Sequence, residues 1–572
     1  MKLLKTISIL LIVLFSVGKL SSQTLNNKVT NAVEYFKERE LAVQFVKNKQ
    51  WFEAIQLLEN LTSQYQNDGD LYYLLGIASY QTKAYSKAIT AFKSCLDKGG
   101  TVLKGIPTGS SPSNDIMIRI SKAYALTNDK QNMLKWLKKA VEFRYDEKPF
   151  LSGSSAFKAF REDVDFKKLI GTYKNKTFNR NTAWIEDINY FINSIKQTHY
   201  RINETTLELI DKQADYIKSN IDQLTDQQII VKLMKILGSL GNGHNLIIPT
   251  TPKQNALKQL PVQFYLFKDG MFIVDAKKEF EGWIGYKVIS IEGIPVKEAL
   301  AKTNLVNARD NDMQMLWLGP YYLSLPDVLK ELGIVNSNKE VNILLKNSAG
   351  ATKEIKLCPE KWNFSDFPKL SKLKRKVQPL YLSKQKEIYW HTSFAKQKAL
   401  YIQFNAVANK KEESIKDYVA RVSLEVEKDK FEHLILDLRF NHGGNGSLLK
   451  PILKLILNFE LRHPKGKIFV LMGRETFSAA QNLLTDITKY TNAILVGEPS
   501  GSSPNHIGEA NWFKLPYSGL MGLVSSQYHQ TSSAEDHRKW IAPHIPVEVT
   551  AIDYFEGRDK VLNTVLEVIN IY

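Results

Sequence analysis

The sequence is 572 residues long, carries a formal charge of +18 and contains only two cysteines, Cys95 and Cys358. That length calls for about three or four domains. Two distant thiols specify no disulfide framework and supply too few ligands for a structural zinc site. The basic residues are spread along the chain, with LSKLKRKVQ (Leu370 to Gln378) as the one dense cluster, so the charge reads as a solvated surface and no nucleic-acid partner is expected.

At the N-terminus, Lys2 and Lys5 precede an apolar run from Ile7 to Val17, and the small residues Ser21 and Ser22 precede Gln23. This order is that of a secretory signal peptide, assigned to residues 1–22. The run is short for a membrane span, and every later apolar run is soon broken by charge. An exported protein, periplasmic or extracellular, with no stable membrane span after signal cleavage is expected.

Residues 31–145 repeat. Ala42, Phe45, Ala54 and Leu58 return in kind 34 residues later as Gly76, Ser79, Ala88 and Phe92. Small residues let paired helices approach, and large ones fill the space between them. The spacing resembles the tetratricopeptide repeat. A third unit carries Ile120, Ser121, Tyr124, Met133, Leu137 and Ala140, after the insert KGGTVLKGIPTGSSPSND interrupts the period. A plain helical domain is the alternative. No catalytic cluster falls in this region, which is expected to meet a peptide or protein partner or to support the rest of the chain.

Residues 146–183 read as a linker, and residues 184–254 as a helical leader. In the leader, Ile229, Ile230, Leu233, Leu237 and Leu240 share a broad apolar face, and Thr225 with Gln228 has capping-box spacing. Gly241 ends that helix, and Gly243 frees the backbone just before His244. Taken alone, His244 reads sooner as a structural histidine than as a base.

Residues 255–375 are rich in strand signals. Two alternating runs meet near Asp269-Gly270, a strand spans Lys287 to Ile291, a turn falls at Glu292-Gly293, and a helix begins near Pro295. The stretch WIGYKVISIEGIPV resembles the helix-to-strand passage of a PDZ-like module, which would hold a peptide by adding it as a strand. No clear Gly-rich carboxylate loop accompanies it. Residues 376–572 then alternate strands and helices, with IYWHTSF, ALYIQFN, HLILDLRFN, GKIFVLMG and AILVGE as sheet strands of an α/β domain. Asp437 falls near a strand end with Arg439 as its nearest partner. Gly443-Gly444 lets backbone N–H groups face a ligand oxygen. Ser478 in GRETFSAAQNLL stands at the start of a helix, where the Ala479 amide and the helix terminus favour negative charge. A serine cap is the plain alternative, and no GxSxG elbow is present.

Together, GNGHN, DLRFNHGG, GRETFSAA and LVGEPSGSSP, in that order, resemble the S41 peptidases, the tail-specific, C-terminal-processing and tricorn-like serine proteases. The likeness runs from about Trp184 to the C-terminus. It implies a helical leader, a PDZ-like β-rich insert and a crotonase/ClpP-like α/β protease core; with the N-terminal helical repeats, which lie outside that likeness, the expected fold is multidomain α plus α/β. It further implies Ser478 as nucleophile, with an oxyanion hole from the amides of Gly443 or Gly444 and of Ala479. Tail-specific members use a lysine where GEPSGSSP here carries Ser503, and Lys489 does not match that motif. The histidine-using, tricorn-like branch fits better, with His244 as base. Tricorn-like sites can carry a serine before the histidine, where this chain has Gly243. The acid that orients the imidazole is expected to be Asp536, with Glu535 as its alternative; His506, His529, His537 and His544 share that C-terminal part, and His544 reads as structural.

The expected function is an exported serine endopeptidase that cleaves peptide bonds in peptides or proteins through a Ser–His–acid mechanism and an acyl-enzyme, with no metal or organic cofactor. The competing reading is a catalytically inactive peptide-binding scaffold built from the repeat and PDZ-like modules. A thioester-acting enzyme is a third, disfavoured by the signal peptide and the lack of a recognisable CoA-binding feature.

Overall fold

The computed structural model describes residues 31–99, 112–143, 145, 148–173, 179–248, 257–361, 370, 378–429 and 431–571. The expected signal peptide, most of the Gly/Ser/Pro insert and most of the basic cluster after Leu370 lie outside the described residues. Among the described residues, no helix is long and apolar enough to cross a membrane. The chain divides into two compact units, Met1–Tyr173 and Lys174–Tyr572.

The first unit contains the helices Ala32–Lys47, Trp51–Gln64, Gly69–Gln81, Tyr85–Lys98, Pro112–Leu126 and Lys130–Glu142, each packed on the next. Asn31, Asp68 and Asp129 cap three of them by accepting from first-turn amides. A small residue faces a large one between two of these helices: a Cβ on Gly76 would come within 2.5 Å of the Phe92 ring. Within the segment expected to be a linker, the described residues 148–173 are packed, and the boundary between the two units follows Tyr173. Lys148–Gly153 and Ser155–Phe160 form 3-10 turns and Val164–Leu169 a helix. Phe157, Phe160, Phe166 and Ile170 pack with Met117, Met133 and Leu137. Aromatic residues in a polar-looking stretch bury enough apolar surface to hold it on the helices.

The second unit begins with the helices Arg180–Thr198, Glu204–Ser219 and Asp226–Gly238, the last opened by the Thr225–Gln228 capping box. An antiparallel sheet follows, with Val262–Phe267, Gly270–Ala276, Lys287–Ile291, Val341–Lys346 and Thr352–Leu357 in that spatial order. Phe264, Ile273, Val288 and Ile343 from this sheet share one core with Ile230, Leu233 and Leu237 of the third helix.

The larger α/β layer is a six-stranded sheet ordered Tyr389–Phe394, Ala399–Phe404, His433–Asp437, Lys467–Met472, Ile494–Gly497 and Ile545–Pro546. Its first pair is antiparallel and the rest are parallel. Ala399–Phe404 and His433–Asp437 are buried along their whole length, which is why they read as continuous apolar runs. The helices Ile415–Asp429, Lys450–Arg462 and Ala479–Tyr490 cover one face, and Lys560–Ile569 helps cover the other. In such a sheet, ligands meet the loops at the carboxyl ends of the parallel strands. The glycine pair after Asp437, Ser478 after Met472 and the Ser500–Ser502 loop after Gly497 all leave from that edge. Beneath it, Arg439 bonds Asp437 (Nη2–Oδ2 2.6 Å) and Asp559 (Nη1–Oδ1 2.8 Å), and the Tyr401 hydroxyl donates to Asp437 (2.7 Å).

Candidate active site

The turn carrying Ser478 is pinned before the serine is reached. The Gly473 N–H donates to Thr476 Oγ1 (3.1 Å), whose hydroxyl donates to the Leu438 carbonyl (3.0 Å). The buried Arg474 bonds Glu498 (Nε–Oε2 2.8 Å) and the Leu266 carbonyl (2.8 Å). Ser478 then takes φ +57° and ψ −125° immediately before the helix Ala479–Tyr490, and its side chain caps nothing. A non-glycine residue held in such a region costs about 1–3 kcal/mol, which the fixed surroundings must offset. The bend has the character of a nucleophile elbow, although its sequence lacks the GxSxG pattern.

His244 arrives from 234 residues away and places Nε2 2.8 Å from Ser478 Oγ. The strand Leu246–Ile248 delivers it by pairing with Met521–Gln530, Leu246 opposite Leu523. Asn245 Oδ1 reinforces that pairing by accepting the Ser525 N–H at 2.8 Å. The imidazole lies between Phe477 (centroids 4.4 Å, planes at 29°) and His506 (5.6 Å, 3°), and His506 stacks in turn on His529 (5.2 Å, 27°). The His506–His529 contact is a direct cross-strand pair of the hairpin Asn505–Lys514 with Met521–Gln530. Parallel rings do not converge their nitrogens on one point. Among the described residues, no group of three His, Cys, Asp or Glu is arranged to hold a metal ion.

The expected acid is not on the imidazole. Asp536 is taken by Arg538 two residues on (Nε–Oδ1 2.9 Å, Nη2–Oδ2 2.7 Å), which holds its carboxyl well below the usual carboxylate range. Glu535 accepts from the Ser533 hydroxyl at 2.8 Å. A local guanidinium in fork geometry outcompetes a distant neutral ring. His244 Nδ1 is buried without a full hydrogen bond among the described residues, and the Ile507 carbonyl interacts with the ring only weakly. His544 is structural in placement: its Nδ1 accepts the Leu495 N–H (3.0 Å) and its own N–H donates to the Leu495 carbonyl (2.8 Å). His537 is exposed.

Gly443 and Gly444 have φ of +95° and +136°. The Gly443 N–H donates to Asn441 Oδ1 (2.9 Å), so it is already used. The Gly444 and Ala479 N–H groups make no hydrogen bond among the described residues, and both line the same cleft as Ser478. Of the two glycine amides anticipated, Gly444 is therefore the one available to an oxyanion. Gly443 serves by having no side chain, because a Cβ there would lie 2.7 Å from both the Ala479 nitrogen and Ser478 Cβ. Gly443→Ala is expected to lower kcat/KM by about 100-fold or more through displacement of Ser478 and the Ala479 amide. It should also destabilise the fold by about 1–3 kcal/mol, measured by denaturant unfolding alongside hydrolysis.

The cleft encloses about 870 Å³. Its wall contains features that sequence reasoning did not find. His442 Nε2 lies 2.8 Å from Glu475 Oε2, and the His442 ring packs on Trp317 (4.6 Å). Glu509, at φ +59°, lies 3.8 Å from His529. Each partner of the His442–Glu475 pair stood inside a quoted motif, but their meeting depends on how two separate strand-end turns are laid side by side. The His506–His529 pair was in principle legible once the hairpin register was known.

Burial, followed by the neighbouring His506 and His529, holds the His244 pKa well below its ordinary value. Burial also lowers His506, to about 4, and His529. Neutral imidazole is the form that accepts a proton, so the acid limb of kcat/KM is expected to fall below about pH 6.5. Stability has a definite sign. Below about pH 6.5 the unfolded chain binds protons at these imidazoles that the folded chain refuses, so stability drops as pH falls from there towards the folded values. Asp310, pushed by burial from 3.8 up to about 6, acts in the opposite direction between those two values. Burial also lowers His433 and raises Asp486, and with four imidazoles against two carboxyls a net loss of stability between pH 6.5 and 5 is expected in thermal unfolding across pH.

No protein-family model and no curated protein matches the chain. Solved structures do. Mature CPAF aligns with a TM-score of 0.49 at 14% identity, over 68% of this chain and 98% of its own. The photosystem II D1 C-terminal processing protease aligns at 0.32 and 11% identity, over 65% and 94%. The tricorn protease aligns at 0.33 and 12% identity, over 69% and 37%. These structural neighbours are S41 family peptidases. The geometry of the site, and not these likenesses, carries the functional reading.

Proposed function

We propose that the chain is an exported serine endopeptidase of the histidine-using, tricorn-like S41 kind, acting on peptides or proteins. The observation that carries this is the 2.8 Å contact between Ser478 Oγ and His244 Nε2 at a strained strand-to-helix turn. Ser478 attacks a peptide carbonyl as His244 takes its proton. The Gly444 and Ala479 amides stabilise the oxyanion, and His244 passes the proton to the leaving amine before activating water against the acyl-enzyme. Phe477 and His506 hold the imidazole plane, a task the missing carboxylate would otherwise share. In this reading the antiparallel sheet that contains Val262–Phe267 is the PDZ-like insert, and the N-terminal helices are tetratricopeptide-like repeats with a surface for a protein partner.

The lack of a carboxylate partner for His244 Nδ1 among the described residues favours one other reading, an inactive peptide-binding scaffold. A fluorophosphonate, which reacts only with an activated serine, separates the two. Covalent labelling mapped to Ser478, together with cleavage of a mixed peptide library, supports the peptidase; an inert Ser478 with retained peptide binding supports the scaffold.

A further inference from the structure

We infer that Asp310 is a positioning residue for His244, tying the backbone of the histidine turn to the loop that follows Gly497. This rests on the serine-peptidase reading. Asp310 lies outside every motif that carries the resemblance, in the segment before the helix Asp312–Tyr322. One carboxylate oxygen, Oδ1, accepts the N–H of Gly243 at 2.8 Å, one residue before His244. The other, Oδ2, accepts the hydroxyl of Ser502. Ser502 belongs to the GEPSGSSP stretch, where Ser503 stands in place of a lysine and instead bonds the Lys539 carbonyl at 2.9 Å.

The tie is braced on both sides. Gln314, 1% exposed, accepts the Asp310 N–H through Oε1 at 2.6 Å. The same amide fills the space beside Gly243, where a Cβ would come within 2.3 Å of Gln314 Oε1. Asn311 donates to the carbonyls of Ser500 (3.2 Å) and Lys539 (2.7 Å), so the segment is fastened to the Ser500–Ser502 loop by its next residue as well. A side chain at position 243 would have to displace the Gln314 amide, and at this turn a carboxylate acts on the main chain instead. Charge-assisted bonds to a backbone N–H and a hydroxyl are directional and comparatively strong, and they leave two unpaired donors behind when removed. Among the described residues no carboxylate is bonded to the imidazole ring, so its aim depends on stacking, on the Ile507 backbone and on how the turn is held.

Wild type, Asp310→Ala and Asp310→Asn would be compared for peptide hydrolysis and for the rate of fluorophosphonate labelling at Ser478, with thermal unfolding as the fold control. Asp310→Ala is expected to lower kcat and the labelling rate about 100-fold, with KM within about threefold. Asp310→Asn keeps an acceptor for Gly243 and a polar contact for Ser502, and is expected to stay within about threefold of wild type. Equal labelling of wild type and folded Asp310→Ala, a loss confined to KM, or a folded Asp310→Asn as slow as the alanine variant would each overturn the role. If Asp310→Ala does not fold, Ser502→Ala decides: labelling about tenfold slower is expected, and a wild-type rate overturns the inference. A wild type that fluorophosphonate does not label at all would instead defeat the peptidase reading on which this rests.

Discussion

Replacing Ser478 with alanine is expected to remove peptide hydrolysis by at least about 10⁴-fold while leaving the protein folded. The side chain caps no helix N–H, and its hydrogen-bond partner is His244, so its loss breaks no structural network. The backbone sharpens the test. At φ +57°, alanine keeps the strain of the turn and glycine relieves it. Ser478→Gly should be as inactive as Ser478→Ala but more stable than it by about 1 kcal/mol. Steady-state hydrolysis with denaturant unfolding of all three proteins checks both parts. Undiminished hydrolysis in Ser478→Ala would remove the serine from the chemistry, and equal stability of the two variants would show that the turn stores no strain.

Replacing His244 with alanine is expected to cost about 10³-fold or more in kcat, because the base and the later proton donor are one ring. His544→Ala is the matched control. That ring bonds the Leu495 N–H between strands, so its loss should appear in stability, by about 1–2 kcal/mol, with activity near wild type. The contrast must hold in variants shown to be folded by thermal unfolding. Comparable loss of kcat in both would assign the His244 effect to structure, since His544 lies on the Ile494–Gly497 strand edge and away from Ser478.

Much of the site was legible because its chemistry is written in short stretches of backbone. Gly443-Gly444 announced a turn open to a ligand, and GRETFSAA announced a serine at a helix start; both turns leave the same sheet edge. The Thr225–Gln228 capping box formed as its spacing requires. The linker assignment missed this packing because spacing in FLSGSSAFKAF gives no period, while Phe157 and Phe160 find their core on helices elsewhere in the unit. Asp536 failed for a different reason. The choice rested on the resemblance of the C-terminal stretch to the family's tail and left out Arg538, which lies two residues away and takes the carboxylate.

The sequence by itself determined the pieces of the candidate site: a serine at a strand-to-helix bend, a glycine pair in another turn, a histidine on a glycine-flanked turn, and apolar runs that must be buried on both faces. These are properties of a few neighbouring residues and their torsions. Only the tertiary structure decided which groups meet. The pairing of Leu246 with Leu523 brings His244 to Ser478, and Asp310 reaches the histidine turn from a segment with no motif. Such contacts join residues tens to hundreds of positions apart. They follow from strand register and close packing, which apolar burial across the whole unit selects and no local pattern encodes.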